Sequence, residues 1–76
     1  MSTTLTIPKL EMSMSEGALA EWKVEDGATV KEGDVIYILE TNKTSRDIEA
    51  PVSGTLHHRA PAGETYDVGT EIGEID

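Results

Sequence analysis

The second half of this chain restates the first. Gly17 to Glu40 aligns with Gly54 to Asp76 when Lys23 is treated as a single insertion in the first copy. Gly17 then pairs with Gly54 and Leu19 with Leu56. Beyond the insertion Gly27 pairs with Gly63, Thr29 with Thr65, Gly33 with Gly69 and Ile36 with Ile72, all at one offset. Val30 against Tyr66 and Leu39 against Ile75 keep their apolar character. Chance matching of glycines does not explain turns and core positions recurring together, which is the mark of a duplicated supersecondary unit. Neither copy can bury its apolar face alone, so the two must pack on each other around a shared core. A pseudo-twofold sandwich of two similar half-sheets is expected.

Short runs rich in Val, Ile, Thr and Leu lie between Gly, Pro and Asp punctuation, the pattern of an all-β domain. Thr4 to Ile7 reads as a first strand. Ala18, Ala20, Trp22 and Val24 form the apolar face of a second, with Leu19, Glu21 and Lys23 opposite. Asp26-Gly27 and Glu32-Gly33 mark turns around a short strand centred on Val30, because glycine reaches positive φ without a Cβ clash. Asp34 to Leu39 supplies the next strand; it is apolar on both faces, which leaves its register open. Arg46 to Ala50 follows. The stretch Glu11 to Trp22 has helix-forming content, but Gly17 interrupts it and Met12 and Met14 at alternate positions make no helical stripe. A surface loop from Leu10 to Glu16 is expected instead. With no Phe in the chain, Trp22 is expected to pack. The rest of the core is expected to be aliphatic, drawn from Ile7, Leu19, Val24, Val30, Ile36, Ile48, Leu56, Ile72 and Ile75.

The 76 residues suffice for one domain, 1–76, that buries roughly 60 percent of its unfolded surface and has no room for an enclosed catalytic cavity. An enzyme acting unaided is not expected. A formal net charge of -9 opposes binding to phosphate backbones and anionic lipid, so nucleic acid and membrane surfaces are poor partners. Without cysteine, neither a disulfide nor a thiolate zinc site is available. The first residues lack the basic and apolar segments of a signal peptide, and no apolar run reaches membrane-spanning length. A monomeric, soluble cytoplasmic domain is the expectation. His57 and His58 are neighbours in a strand, so they point to opposite faces and do not chelate one metal; they read as surface or edge residues. No nucleophile and base share a motif.

What remains is Lys43, in the turn-forming stretch Glu40-Thr41-Asn42-Lys43-Thr44-Ser45. Thr41 to Thr44 suits a type I turn whose polar neighbours leave the lysine in water. Composition alone describes a solvated hairpin lysine. Its position midway between two similar halves is also the layout of a site for covalent cofactor attachment.

Here the sequence resembles the biotinyl/lipoyl carrier domains, and within them the lipoyl domains of 2-oxo acid dehydrogenase acyltransferase (E2) components. The resemblance runs along essentially the whole chain: Ile7-Pro8-Lys9-Leu10, Met14-Ser15-Glu16-Gly17, Trp22, Asp26-Gly27, Val30, Gly33-Asp34-Val35-Ile36, Glu40-Thr41-Asn42-Lys43, Glu49-Ala50-Pro51-Val52-Ser53-Gly54 and Gly63 to Gly69 fall in the family order. It implies a flattened barrel of two four-stranded antiparallel sheets with lipoate in amide linkage to Lys43 at an exposed hairpin. Biotin carriers, the alternative, place methionine on both sides of the lysine, whereas Asn42 and Thr44 resemble the lipoyl pattern. An unmodified interaction module is the third reading. Two positions depart from the family: Asn42 replaces the usual Asp, keeping the turn but not the charge, and Arg46 stands where a small aliphatic residue is common. Arg46 is expected to lay its methylenes on the sheet and reach a carboxylate.

The resemblance implies a non-catalytic swinging arm. A lipoate ligase, or an octanoyltransferase with lipoyl synthase, would recognise Glu40, Thr41, Asn42 and Thr44 and acylate Lys43. The arm would take an acyl group from a thiamin diphosphate enzyme (E1), pass it to coenzyme A at the acyltransferase core (E2), and be reoxidised by dihydrolipoyl dehydrogenase (E3). The loop Leu10, Glu11, Met12, Ser13, Met14, Ser15 and Glu16 would lie beside the hairpin and discriminate among E1 enzymes, with Met12 and Met14 as adaptable apolar contacts.

Overall fold

The computed structural model describes residues 2–76. It is all-β: β1 (Thr3–Thr6), β2 (Glu16–Trp22), β3 (Thr29–Val30), β4 (Val35–Glu40), β5 (Ser45–Glu49), β6 (Gly54–His58), β7 (Glu64–Asp67) and β8 (Glu71–Ile75). The helix-forming content between Glu11 and Trp22 gives a loop and then β2. Two four-stranded antiparallel sheets run β1-β8-β6-β3 and β5-β4-β2-β7. Replacing each strand of the first order by the one four places away in sequence yields the second order, which is the pseudo-twofold.

The symmetry extends to individual bonds. Gly63 N–H donates to Leu19 O and Gly27 N–H to Leu56 O, each at 2.7 Å. Lys23 N–H reaches Ile36 O and Arg59 N–H reaches Ile72 O, each at 2.8 Å. Gly33 N–H bonds to Ala50 O and Gly69 N–H to Ile7 O, each at 2.9 Å. These pairs equate Ile7 with Ala50, so the repeat includes β1 and β5, where the sequences no longer show it. Bulges occur at equivalent places too, at Ile36 in the β4–β5 ladder and at Ile72 in the β1–β8 ladder.

One bulge has no counterpart, and it corrects the expected face of β2. Leu19 pairs with Leu39 and Glu21 with Ile38, leaving Ala20 as the extra residue; β6 runs against β8 without interruption. An extra residue shifts the alternation by one. Leu19, expected opposite Trp22, is therefore fully buried, while Trp22 turns inward beyond the bulge. The insertion in the first copy is Ala20, not Lys23.

The core holds the expected Ile7, Leu19, Val30, Ile36, Leu56, Ile72 and Ile75, with Val24 and Ile48 only partly buried against it. It is not purely aliphatic: Tyr37 and Met14 are buried as well, together with Leu5, Leu39 and Ala50. The open register of β4 resolves with Ile36, Tyr37 and Leu39 inside, Ile38 half-buried and Val35 exposed. Trp22 sits edge-on to Tyr37, with ring centroids 5.4 Å apart at 62°, and donates its indole N–H to Ala60 O at 3.0 Å. His57 and His58 lie in an interior strand, not at an edge, and are partly buried, the His57 side chain still being 38% exposed at the surface. His58 stacks on Trp22 at 4.0 Å and 12°, its Nε2–H donating to Val24 O at 2.8 Å. Among the described residues no group of His, Cys, Asp and Glu could hold a metal ion.

Candidate functional site

The ladder between β4 and β5 ends at Glu40 and Ser45. Thr41 N–H then closes the hairpin on Thr44 O at 2.7 Å, leaving Asn42 and Lys43 at the tip, both exposed. No described residue other than glycine has positive φ. That excludes the primed turns, which need positive φ at their central residues, and agrees with the type I reading. The Thr41 hydroxyl organises the tip: Oγ1 accepts the N–H of Lys43 at 3.2 Å and of Thr44 at 3.1 Å, and donates to Thr44 O at 3.2 Å. Lys43 makes no ion pair among the described residues, so its amine extends into solvent from a fixed backbone. Arg46 likewise lies exposed on β5 without the expected carboxylate partner among those residues.

The loop from Leu10 to Glu16 forms the neighbouring wall. Met14 N–H bonds to Glu11 O at 3.1 Å, a tight turn with Met12 and Ser13 at its tip. The two methionines differ in environment. Met12 is 93% exposed, whereas Met14 is 7% exposed and belongs to the core. The Met14 thioether accepts the Leu10 N–H at 3.3 Å. Its methyl and the end of Leu39 occupy the space that a side chain at Gly17 would need, at 2.9 and 2.8 Å from the position of a Cβ. Met14 thus fastens the loop to β4, the strand that leads into the lysine hairpin. Ser15 O, accepting Val68 N–H at 3.0 Å, holds the other end.

Between loop and hairpin lies an open cleft of about 550 Å³, lined by Glu11, Ser13 to Ala18, Glu40 to Lys43, and Thr65. Of the residues expected at the site, the cleft brings together Glu11, Ser13, Met14, Ser15, Glu16, Glu40, Thr41, Asn42 and Lys43. Leu10, Met12 and Thr44 do not line it. Glu11, Glu16 and Glu40 give it a negative rim in which Lys43 is the sole lining cation. An amine so placed fits acylation by an incoming enzyme: it is accessible, has no ion pair to give up, and is carried by a backbone whose hydrogen bonds do not involve its side chain. Sequence reasoning named the two walls but missed the cleft, which depends on Met14 folding inward. It also missed how Thr41 holds the turn. The available signal was a hydroxyl residue two places before the lysine in a turn without glycine.

Two packed four-stranded sheets with an exposed lysine at a hairpin tip fit a cofactor-carrier domain. The profile of the biotin/lipoyl family, described as biotin-requiring enzymes, matches residues 3–75, and the chain belongs to that family. It is 42% identical over 73 residues to the dihydrolipoyllysine-residue acetyltransferase component of the acetoin cleaving system of Pseudomonas putida, covering 95% of this chain and 20% of that protein. It is 45% identical over 56 residues to the corresponding component of the pyruvate dehydrogenase complex of Rhizobium meliloti, covering 74% of the chain and 12% of that protein. The match to the succinyltransferase component of the 2-oxoglutarate dehydrogenase complex of Bacillus subtilis is 36% over 72 residues, 93% of the chain and 17% of that protein. The chain therefore spans a fifth or less of these relatives. All three relatives are named as dihydrolipoyllysine-residue acyltransferase components.

Proposed function

We propose that this domain carries lipoate as an amide on Lys43 and acts as the swinging arm of a 2-oxo acid dehydrogenase complex. The observation that supports this reading best is an amine with no ion pair among the described residues, at the tip of a hydrogen-bonded hairpin, set across one cleft from a distinct loop. Acylation joins Nζ of Lys43 to the carboxyl carbon of an activated lipoyl or octanoyl group, releasing the activating group and a proton that the modifying enzyme takes up. Glu40, Asn42 and Thr44, all exposed, form the surface presented to that enzyme, and Thr41 holds the turn between them. When bound, the dithiolane supplies the acyl-carrying and redox chemistry exchanged among E1, the E2 core and E3. The protein's share is to hold the arm's root still and raise its local concentration at each active site.

Recognition by E1 falls to the loop Leu10 to Glu16. Its exposed member Met12 offers an adaptable apolar contact, and the buried Met14 keeps the loop beside the hairpin. Intact mass after incubation with ATP and either lipoate ligase plus lipoate or biotin ligase plus biotin tests the carrier role. A single lipoyl increment is expected, absent from Lys43→Arg; a biotin increment, or none from either enzyme, would overturn it. On the lipoylated domain, exchanging residues 10–16 for those of another lipoyl domain should lower reductive acylation by the cognate E1 about tenfold or more. An unchanged rate removes the loop from the proposal.

A further inference from the structure

We infer that Thr41 is a positioning residue for the acylation of Lys43, acting through the turn rather than by touching the modifying enzyme; this rests on Lys43 being the acceptor. Four other tight turns, at Gly27, Gly33, Gly63 and Gly69, each carry a glycine at positive φ; the Glu11 to Met14 turn, like the lysine hairpin, does not. The lysine hairpin has neither glycine nor proline between Glu40 and Ser45, and no positive φ. Its shape is therefore not imposed by backbone chemistry.

A single hydroxyl replaces that constraint. A threonine hydroxyl has one donor and two acceptor sites, and Thr41 Oγ1 uses all three inside the turn, on Lys43 N–H, Thr44 N–H and Thr44 O. Thr41 is also the one residue from Thr41 to Ser45 that is partly buried. Thr44, the other hydroxyl residue in the turn, is exposed, and its hydroxyl reaches only Ser45 O at 3.4 Å. The amide of Lys43 is bonded directly to the Thr41 hydroxyl, so the direction in which the side chain leaves the tip is set there. A modifying enzyme that docks the domain as a rigid body needs that direction fixed, because small misplacements of a reacting atom are costly in rate. A small acylating reagent in solution does not.

The test compares wild type, Thr41→Val and Thr41→Ser as lipoate acceptors with ATP, lipoate and lipoate ligase. Amide hydrogen exchange at Lys43 and Thr44 is read in the free domains, and the reactivity of Lys43 toward an N-hydroxysuccinimide ester in all three. Thr41→Val is expected to lower kcat/KM for lipoylation about tenfold and to speed exchange at both amides. Ester reactivity and the thermal midpoint should stay near wild type, and Thr41→Ser should restore enzymatic rate and exchange together. A Thr41→Val domain lipoylated at the wild-type rate overturns the inference. So does a slowed domain with unchanged amide exchange, which would mean that the enzyme reads the hydroxyl directly, or a Thr41→Ser domain as slow as the valine variant. Failure of the wild type itself to accept lipoate would instead overturn the carrier reading, and the role of Thr41 with it.

Discussion

Set side by side, β1 to β4 and β5 to β8 share strand order, ladder bulges at Ile36 and Ile72, and the turn bonds of Gly27 with Gly63 and Gly33 with Gly69. Besides the bulge at Ala20, they differ in three places. The first half leaves β1 through the long loop from Pro8 to Ser15, whereas the second leaves β5 through the short Pro51-Val52-Ser53. The first half ends in the Lys43 hairpin, and the corresponding end of β8 is Asp76, beside the start of β1. Inside, the pair Trp22 and Tyr37 of the first half stands where the second half has His58 and Gly73, by the register relations of β2 with β4 and β6 with β8. Both surface differences border the cleft at Lys43. The shared framework supplies the fold, and the candidate site is built where the copies diverge. The interior difference has its own consequences for stability.

The largest effect is expected at Gly73. A Cβ there would lie 2.7 Å from His57 O on the adjoining strand and 3.3 Å from the Trp22 ring. Its counterpart Tyr37 carries a full side chain, and the strand beside it, β2, has the extra residue Ala20 that β6 lacks. A backbone oxygen in the middle of a ladder cannot step aside without breaking pairing, so Gly73→Ala should cost about 3 kcal/mol in urea unfolding, the upper end of overpacking effects. Gly17→Ala is the control. Its Cβ would meet only the ends of Leu39 and Met14, which can rotate, and about 1 kcal/mol is expected. Equal losses at the two glycines would mean that backbone approach is not what sets Gly73 apart.

Tyr37 gives the next effect, visible only in alkali. Burial pushes its phenol up from an ordinary value of 10.0 to about 12, in a side chain 1% exposed. The folded chain then keeps this proton after the unfolded chain has released it. The contribution is fully present below about pH 10 and is lost as pH rises through about 12. Unfolding free energies at pH 9 and pH 12 for wild type and Tyr37→Phe isolate it from lysine titration. The phenylalanine variant should lose less stability between those points, and parallel losses would show that the phenol does not sense its burial.

The sequence made the duplication visible because glycine turns and alternating apolar residues are local signals. Gly27, Gly33, Gly63 and Gly69 mark turns whatever packs around them. The same locality explains the misreadings. A bulge at Ala20 is decided by the partner strand, so alternation alone assigned Leu19 to the wrong face. Met12 and Met14 look alike in sequence, and only the course of the loop shows that one caps the core while the other faces water. β1 and β5 share a backbone plan without shared side chains, which hid the first strand of each repeat. At the site, Lys43 was legible from its turn and from the family resemblance. The cleft was not, since its two walls are distant in sequence and meet through Met14 and Leu39.

The smallest effect probes the one contact in which the halves exchange aromatic surface. His58 and Trp22 occupy equivalent positions after Ala20 is set aside, and they stack on each other at 4.0 Å. Stacked rings contribute about 0.5–1.5 kcal/mol beyond buried area, and the bond from Nε2–H to Val24 O adds about 1 kcal/mol. His58→Ala should therefore cost about 2 kcal/mol, while His58→Phe keeps the stack, loses the bond, and should cost about half as much. A double-mutant cycle with Trp22→Leu separates the two terms, because only the stacking part couples to Trp22. If His58→Ala is additive with Trp22→Leu, the rings merely lie near one another, and the halves are joined by their shared ladders and aliphatic core without help from the stack. Coupling of about 1 kcal/mol would instead show that the chain uses the point where its copies differ most inside to hold them together.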